Sequence, residues 1–199
     1  KYIKQDGSVG YYQTVNKTTP VAGDVKYVDR NGDGVVDDND RDIIGNPNPD
    51  FTYGFQTKVS WKSLSLSASF NGVQGRDILN VGNRYNNTPG TKSNNVTRKA
   101  FQNMWTDENP SNLYPKSTFV VQNMVMDRYV EDGSYLRCSD ITLSYVLPAK
   151  WTNKIGIKNT SVYASVKNAF VITDYSGYDP EVNSFAFDGL RPGVDMNSY

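Results

Sequence analysis

Apolar residues recur at every second position in several segments of the chain, and no long segment shows helical periodicity. From residue 51 to residue 61 the odd positions are mostly aromatic or aliphatic, whereas the even positions are small or polar. After Lys62 and Ser63 the alternation resumes over residues 64–71, with the apolar side chains now at even positions. Such a period of two is typical of strands with two different faces. The pattern therefore predicts strands at 51–61 and 64–74.

A two-residue turn at Lys62 and Ser63 would join these two strands into a hairpin. The resulting register continues the apolar face of one strand across the other, as sheet pairing requires. Lys-Ser is not the favoured Asn-Gly chemistry of such a turn, so the hairpin rests on the alternation alone. The facing residues would be Trp61 and Leu64, Val59 and Leu66, Thr57 and Ala68, and Phe55 and Phe70.

Two further strands are predicted at 135–147 and 160–170, where apolar and polar residues again alternate. Pro148 should end the first of them, because proline has no N–H to donate to a sheet. The stretch 75–127 is rich in Asn, Thr and Gly and is predicted to be a long loop, with a short helix within 97–105.

The connections thus alternate between long and short, with a second long loop at 171–199. Outer-membrane β-barrels show this asymmetry, with strands of about 9–11 residues that turn one apolar face to lipid. A soluble sandwich with a water-facing surface is the alternative, although structureless loops of this length are uncommon in compact domains. We expect an all-β fold of antiparallel strands that forms part of a transmembrane barrel with long extracellular loops.

Composition and charge narrow the functional classes. The 199 residues include no His and one Cys, and the 21 basic residues balance the 21 acidic ones. Catalytic triads and zinc sites that need imidazole are excluded, and zero net charge argues against nucleic-acid binding. No run approaches the ~20 apolar residues of a membrane helix. Aromatic residues make up 13% of the chain, and girdles at membrane interfaces would account for them.

Residues 29–40 follow the spacing of a twelve-residue calcium loop, with a glycine at position 6 where the chain must turn. Position 12 is Asp instead of the usual bidentate Glu, which would either weaken coordination there or follow the dockerin-type variant that this loop resembles. The alternative is a metal-free cluster of Asn-Gly and Asp-Gly turns. Calcium would act structurally, by neutralising carboxylates that repel each other. The predicted ligands are Asp29, Asn31, Asp33, the Val35 carbonyl, Asp37 (directly or through water) and Asp40.

Catalysis is not expected. The acid pairs Asp107/Glu108 and Asp179/Glu181 lie in polar loops, where adjacent carboxylates are usually solvated, although a pair of carboxylates can hydrolyse glycosides without His. The aromatic residues Tyr85, Trp105 and Tyr114 of the long loop receive no role, because stacking on sugars and packing within the loop explain them equally well.

Several segments, in order, resemble the C-terminal part of the SusC/RagA family of TonB-dependent outer-membrane transporters. The residues that carry the resemblance are Gly23-Asp24-Val25-Lys26-Tyr27, Ile43-Ile44-Gly45-Asn46-Pro47-Asn48-Pro49, Phe51-Thr52-Tyr53-Gly54-Phe55, Asn71-Gly72-Val73-Gln74-Gly75, Val130-Glu131-Asp132-Gly133-Ser134-Tyr135-Leu136-Arg137, Ile141-Thr142-Leu143-Ser144-Tyr145, Lys167-Asn168-Ala169-Phe170 and Tyr175-Ser176-Gly177-Tyr178-Asp179-Pro180-Glu181-Val182.

The resemblance implies a segment of a large barrel in the outer membrane that imports oligosaccharides or peptides with energy from TonB. A SusD-like surface lipoprotein would cap that barrel. Residues 1–50 would be an extracellular region that carries the calcium-type loop, and 51–199 would be the barrel segment. We expect that these residues alone cannot transport. The competing hypothesis is a secreted, calcium-stabilised β-domain that binds glycan or protein.

Overall fold

The computed structural model describes residues 2–3, 9–10, 21–88, 95–117, 125–157, 160–182, 184–185 and 192–196. The chain divides into two compact units, which we call the first unit (Lys1–Ile44 with Asn80–Tyr129) and the second unit (Gly45–Leu79 with Val130–Tyr199). The elements in chain order are β1 (Tyr2–Ile3), β2 (Val9–Gly10), β3 (Phe51–Trp61), β4 (Leu64–Gln74), β5 (Asp77–Asn80), α1 (Val81–Asn87), α2 (Arg98–Asn103), β6 (Val130–Asp132), β7 (Tyr135–Val146), α3 (Ala149–Thr152), β8 (Ser161–Thr173) and β9 (Val194–Asp195), with short 3-10 turns at Asp38–Asp40, Asp127–Tyr129 and Asn153–Ile155.

The second unit is built on a four-stranded antiparallel sheet in the order β3-β4-β7-β8. All four facing pairs predicted for the first hairpin are present, from Trp61 opposite Leu64 to Phe55 opposite Phe70. Lys62 supplies the turn by adopting a left-handed φ of 54°. The all-β, antiparallel fold expected from the sequence is therefore confirmed.

The sheet has an apolar face and a polar face, and its register keeps them distinct. On the apolar face the side chains are exposed, Val59 and Trp61 by 64% and 68%. On the opposite, polar face, β3 and β4 carry small and polar residues such as Ser60 and Ser65, whose hydroxyl oxygens are 2.8 Å apart. The larger exposed side chains of the apolar face are Phe51, Phe55, Leu64, Leu66, Leu143, Tyr145, Val162, Val166 and Phe170.

Three strand ends differ from the sequence prediction, and one of them, the start of β8 at Ser161, differs by a single residue. β7 ends at Val146, one residue earlier than expected, although the Leu147 N–H still donates to the Thr160 carbonyl at 2.9 Å. β8 continues to Thr173, three residues beyond the predicted end. Residues 169–172 at the end of β8 are all apolar, so a search for a period of two does not detect this part of the strand.

Residues 75–127 are not one long irregular loop, which corrects the prediction for this stretch. β5 begins at Asp77 and lies between β6 and β9 in a small three-stranded sheet. Ile78 is fully buried there, and Leu79 donates its N–H to the Gly193 carbonyl at 2.8 Å. The stretch 171–199 likewise contains the end of β8 and all of β9, and part of it lies outside the described residues.

The first unit contains two short helices with side-chain caps. Asn80 caps α1 by accepting from the Asn83 N–H at 2.8 Å, and Thr97 caps α2 by accepting from the Ala100 N–H at 3.1 Å. The helix α2 confirms the short helix expected within 97–105. Among the described residues, no helix is long and apolar enough to cross a membrane.

Candidate functional site

The calcium-type loop, residues 29–40, winds around the carboxylate of Asp29. Its Oδ1 accepts from the Gly32 N–H at 2.7 Å, and its Oδ2 accepts from the Gly34 N–H at 2.8 Å. Gly32 and Gly34 have φ values of 75° and 86°, a conformation that side chains with a Cβ rarely adopt. The glycine at position 6 therefore makes the sharp turn that the sequence required.

Three of the other predicted ligands, Asn31, Asp33 and Asp37, repeat one local motif, in which a side-chain oxygen accepts from the N–H two residues later. Asn31 Oδ1 accepts from Asp33 at 2.9 Å, and Asp33 Oδ1 accepts from Val35 at 2.8 Å. Asp37 Oδ1 accepts from Asn39 at 2.8 Å. These successive Asx turns hold the polar side chains against the backbone of the loop.

Asp40, the last residue of the loop, is hydrogen-bonded to the beginning of the loop. Its Oδ1 accepts from the Arg30 N–H and its Oδ2 from the Asp37 N–H, both at 2.8 Å. The hydrogen bond from the Asp37 backbone is the largest influence on this carboxyl, and with those from Arg30 and Asn31 it holds the pKa of Asp40 below its usual range. Residue 12 of the loop is thereby fixed next to residue 2.

The donor set matches a hard cation, since it consists of carboxylate, amide and carbonyl oxygens. Each predicted carboxylate ligand is engaged with backbone N–H groups. Across the described part of the chain, His, Cys, Asp and Glu side chains form no group of three or more arranged to hold a metal ion. The chemistry and winding of the loop fit calcium, and binding would require the carboxylates to draw together.

A second polar site lies on the polar face of the sheet, around the guanidinium of Arg137 in β7. Its Nη2 lies 2.6 Å from Asp179 Oδ1, and its Nε forms an ion-pair contact of 3.2 Å with Glu181 Oε2 that lacks hydrogen-bond geometry. The Arg137 side chain is only 10% exposed, whereas those of Asp179 and Glu181 are 48% and 43% exposed. A nearly buried cation is thus balanced by two half-exposed anions.

Two neutral side chains complete this arrangement, which we call the clamp: Arg137, Asp179, Glu181, Tyr135 and Asn71. Tyr135 donates its hydroxyl to Glu181 Oε1 at 2.5 Å, and Asn71 donates its amide to the same oxygen at 3.1 Å. Asn71 lies on β4 and Tyr135 on β7. The clamp therefore ties the segment after β8 to two strands of the sheet.

The clamp explains the acid pair 179/181, because both carboxylates neutralise one arginine. Asp107 and Glu108 are exposed in a turn of the first unit. Sequence reasoning did not single out Arg137. The available signal was a charged residue at a polar-face position inside a strand.

The buried pair of Tyr175 and Asp195 joins β9 to the chain after β8. The Tyr175 hydroxyl donates to Asp195 Oδ2 at 2.7 Å, and the two residues are 5% and 3% exposed. Burial, and then the hydrogen bond to Asp195, raises the pKa of Tyr175 far above its usual value. The phenol stays protonated and serves as a donor to the buried carboxylate.

No protein-family model matches the chain. It is 34% identical over 187 residues to the TonB-dependent receptor P26 of Formosa agariphila, a match that covers 90% of this chain and 18% of that protein. It is 34% identical over 180 residues to the TonB-dependent receptor SusC of Bacteroides thetaiotaomicron, covering 87% and 16%. The chain therefore spans under a fifth of the length of these curated relatives.

The fold is similar to solved structures of the RagAB peptide importer. In the "closed-closed" state the TM-score is 0.68 at 27% identity, covering 87% of this chain and 19% of that one. In the "open-open" state the TM-score is 0.65 at 27% identity, covering 95% and 19%. Sequence and fold agree with the resemblance first seen in the ordered motifs. The chain is therefore similar, in sequence and in fold, to TonB-dependent receptors of the SusC and RagA kind.

Proposed function

We propose that this chain forms part of the barrel wall of a TonB-dependent importer in the outer membrane, which takes up oligosaccharides or peptides. The observation that carries the proposal is the exposed apolar face shared by all four strands, opposite a polar face. In water such a face would promote aggregation, whereas in a bilayer it contacts lipid and the polar face lines an aqueous interior. The similarity to TonB-dependent receptors supports the same assignment.

Orientation and partners follow from this proposal. The tight turn at Lys62 and Ser63 would face the periplasm, which puts the calcium-type loop and residues 75–127 outside the cell. A SusD-like surface lipoprotein would contact that outer side. TonB would act through parts of the protein other than these residues.

Fractionation and uptake of the full-length protein test the proposal. We expect the protein to sediment with outer membranes, to need detergent for extraction, and to support accumulation of labelled oligosaccharide or peptide only in cells that have TonB. Recovery as a soluble secreted species without detergent would contradict it and favour the calcium-stabilised β-domain.

We also propose that residues 29–40 bind one structural calcium ion through Asp29, Asn31, Asp33, Val35, Asp37 and Asp40. The support is the match of a hard-cation donor set to a loop whose two ends are already joined through Asp40. A bound calcium ion would neutralise the carboxylates that otherwise repel each other, and would so stabilise the conformation of the loop.

Calcium binding to the full-length protein should depend on the predicted ligands. We expect Asp33→Asn to weaken calcium affinity by about tenfold or more, because it removes a charged ligand. Asp38→Asn is the matched control, since Asp38 lies in the same loop but pairs with Arg41. Equal affinities for both variants and the wild type, measured by calorimetry, would refute the assignment.

A further inference from the structure

The first unit contains a cleft of about 1040 Å³ that the proposed import function does not use, and all of its lining residues belong to that unit. Its volume is at the upper end of the range for small-molecule sites, about 300–1,000 Å³. One wall is part of the calcium-type loop, including Asp37 and Asp40, and the facing wall includes the segment around Trp105 and Tyr114. The cleft is therefore formed by two stretches that lie far apart in sequence.

Aromatic side chains form a fixed part of the lining. Trp105, Tyr114 and Tyr27 all line the cleft and are half-buried. The indole of Trp105 packs directly on Gly23, where any Cβ would overlap the ring. The backbone N–H of Trp105 donates to the backbone carbonyl of Tyr114 at 3.1 Å, which holds the two residues side by side. The contact with Gly23 therefore fixes the position of the Trp105 ring.

Several charged side chains at the cleft already form ion pairs within the protein. Arg30 and Asp42 form an ion pair of 2.6 Å. Asp24, the residue next to Gly23, pairs with Lys116 at 3.0 Å. An ionic ligand would have to displace these partners, so the lining favours a ligand without net charge.

The rim also offers a polar side chain for a ligand's hydroxyl groups. Asn112 is exposed and lines the cleft next to Tyr114. Its amide provides two donors and an acceptor. Aromatic side chains with a few polar groups, and ion pairs that are already formed, match a molecule that has both apolar ring faces and hydroxyl edges.

We propose that this cleft binds an uncharged oligosaccharide, with one sugar ring lying on the aromatic surface of Trp105 and neighbouring hydroxyls bonded to Asn112. The C–H face of a sugar ring is apolar and carries partial positive charge, which suits the negative face of an aromatic ring. The site captures saccharide in the loops instead of inside the barrel. The inference names a substrate class for the importer, and in this respect it rests on the proposed function.

Binding is measured on the full-length protein in detergent, by calorimetry with four uncharged hexasaccharides (α-1,4-glucose, β-1,4-glucose, β-1,4-xylose and α-1,6-mannose) and an uncharged hexapeptide. We expect at least one saccharide to bind. Trp105→Ala should raise its Kd by about five- to tenfold, the range expected for losing one aromatic contact. Trp105→Phe should keep most of the affinity, because it retains an aromatic surface and avoids a cavity against Gly23.

Two further variants separate binding from folding. Asn112→Ala should weaken binding by about threefold or more through loss of a hydrogen bond, and this exposed residue has no packing role. Trp151→Ala is the matched control, since Trp151 is 62% exposed on α3 of the second unit and should leave the Kd unchanged.

Three results would overturn the saccharide site: no saccharide binds, only the peptide binds, or the Trp105 and Asn112 variants bind saccharide like the wild type. TonB-dependent uptake is scored separately. Uptake that persists with unaltered binding in the cleft variants removes this inference alone. Cleft-dependent binding by a protein that does not support uptake leaves the cleft and removes the importer.

Discussion

Removal of Arg137 should release the segment that follows β8 from the sheet. In Arg137→Ala the hydrogen bond of 2.6 Å to Asp179 and the ion pair of 3.2 Å to Glu181 are both lost. Residues 174–182 would then be held to the polar face by fewer contacts. We expect local opening of this segment, with the four-stranded sheet intact.

The size of the effect follows from what each carboxylate retains. Glu181 keeps its donors Tyr135 and Asn71, and Asp179 still accepts from the Glu181 N–H at 2.8 Å. Both carboxylates are nearly half exposed, so water replaces much of the lost interaction. The cost is therefore that of one charge-assisted hydrogen bond, about 1.5–3 kcal/mol, and not the larger cost of a broken buried pair. That free energy corresponds to roughly 10- to 150-fold more frequent opening.

Hydrogen–deuterium exchange of the full-length protein measures this opening directly. The amides of Tyr175, Ser176, Glu181 and Val182 are hydrogen-bonded, so their exchange reports whether the segment is closed. We expect faster exchange in peptides that cover 174–182.

Arg41→Ala is the control for loss of an arginine. Its pair with Asp38 is exposed by 79% and 86%, and such pairs contribute little. If exchange over 174–182 in Arg137→Ala stayed within about threefold of the wild type, less than 1 kcal/mol, the clamp would not anchor this segment.

Two further substitutions probe packing and a buried polar pair. Gly72→Ala should destabilise the sheet by about 1–3 kcal/mol, because a Cβ there would overlap the Tyr53 ring and lie 2.6 Å from the Tyr135 carbonyl; the melting temperature in detergent would show it. Tyr175→Phe should cost about 1–3 kcal/mol at pH 7, because it removes a donor from the buried Asp195. Since folding raises the pKa of Tyr175, its contribution is complete below pH ~10 and is lost as pH rises further, so the gap between wild type and variant in thermal unfolding should narrow above that pH.

Matched controls exist for both substitutions. Gly54→Ala adds the same atom to the neighbouring strand. The new Cβ would have the Phe70 carbonyl oxygen as its nearest neighbour, at 3.4 Å, so this substitution should be tolerated far better. Tyr163→Phe removes a hydroxyl from a side chain that is 69% exposed and should leave stability unchanged. Equal losses in variant and control would contradict the packing argument in the first case and the hydrogen-bond argument in the second.

The sheet was predictable because its information is local. Period-two alternation fixes which residues share a face, and the tight turn at Lys62 fixes the register of β3 on β4. The calcium-type winding is local as well, since the bonds to Asp29 and Asp40 lie within twelve residues. The last residues of β8 were missed, because residues 169–172 form a continuous apolar run in which no period of two is visible.

The clamp and the small sheet were not predictable from the sequence for a different reason. Arg137 is more than forty residues from Asp179 and Glu181, and nothing in their spacing indicates that they meet. β5 has only four residues, and β9 only two, so neither has enough length to show a period. Both features depend on long-range pairing, which a single sequence does not display.

The connection lengths in the order β3-β4-β7-β8 also bear on how the sheet assembles. Two residues join β3 to β4, about 14 join β7 to β8, and about 60 separate β4 from β7. Closing a chain of 60 residues costs about 1.3 kcal/mol more in loop entropy than closing one of 14. The two hairpins should therefore form first, and the pairing of β4 with β7, which we call the β4–β7 seam, should form last. Because Asn71 lies on one side of that seam and Arg137 on the other, the clamp can be completed only after the two hairpins have joined.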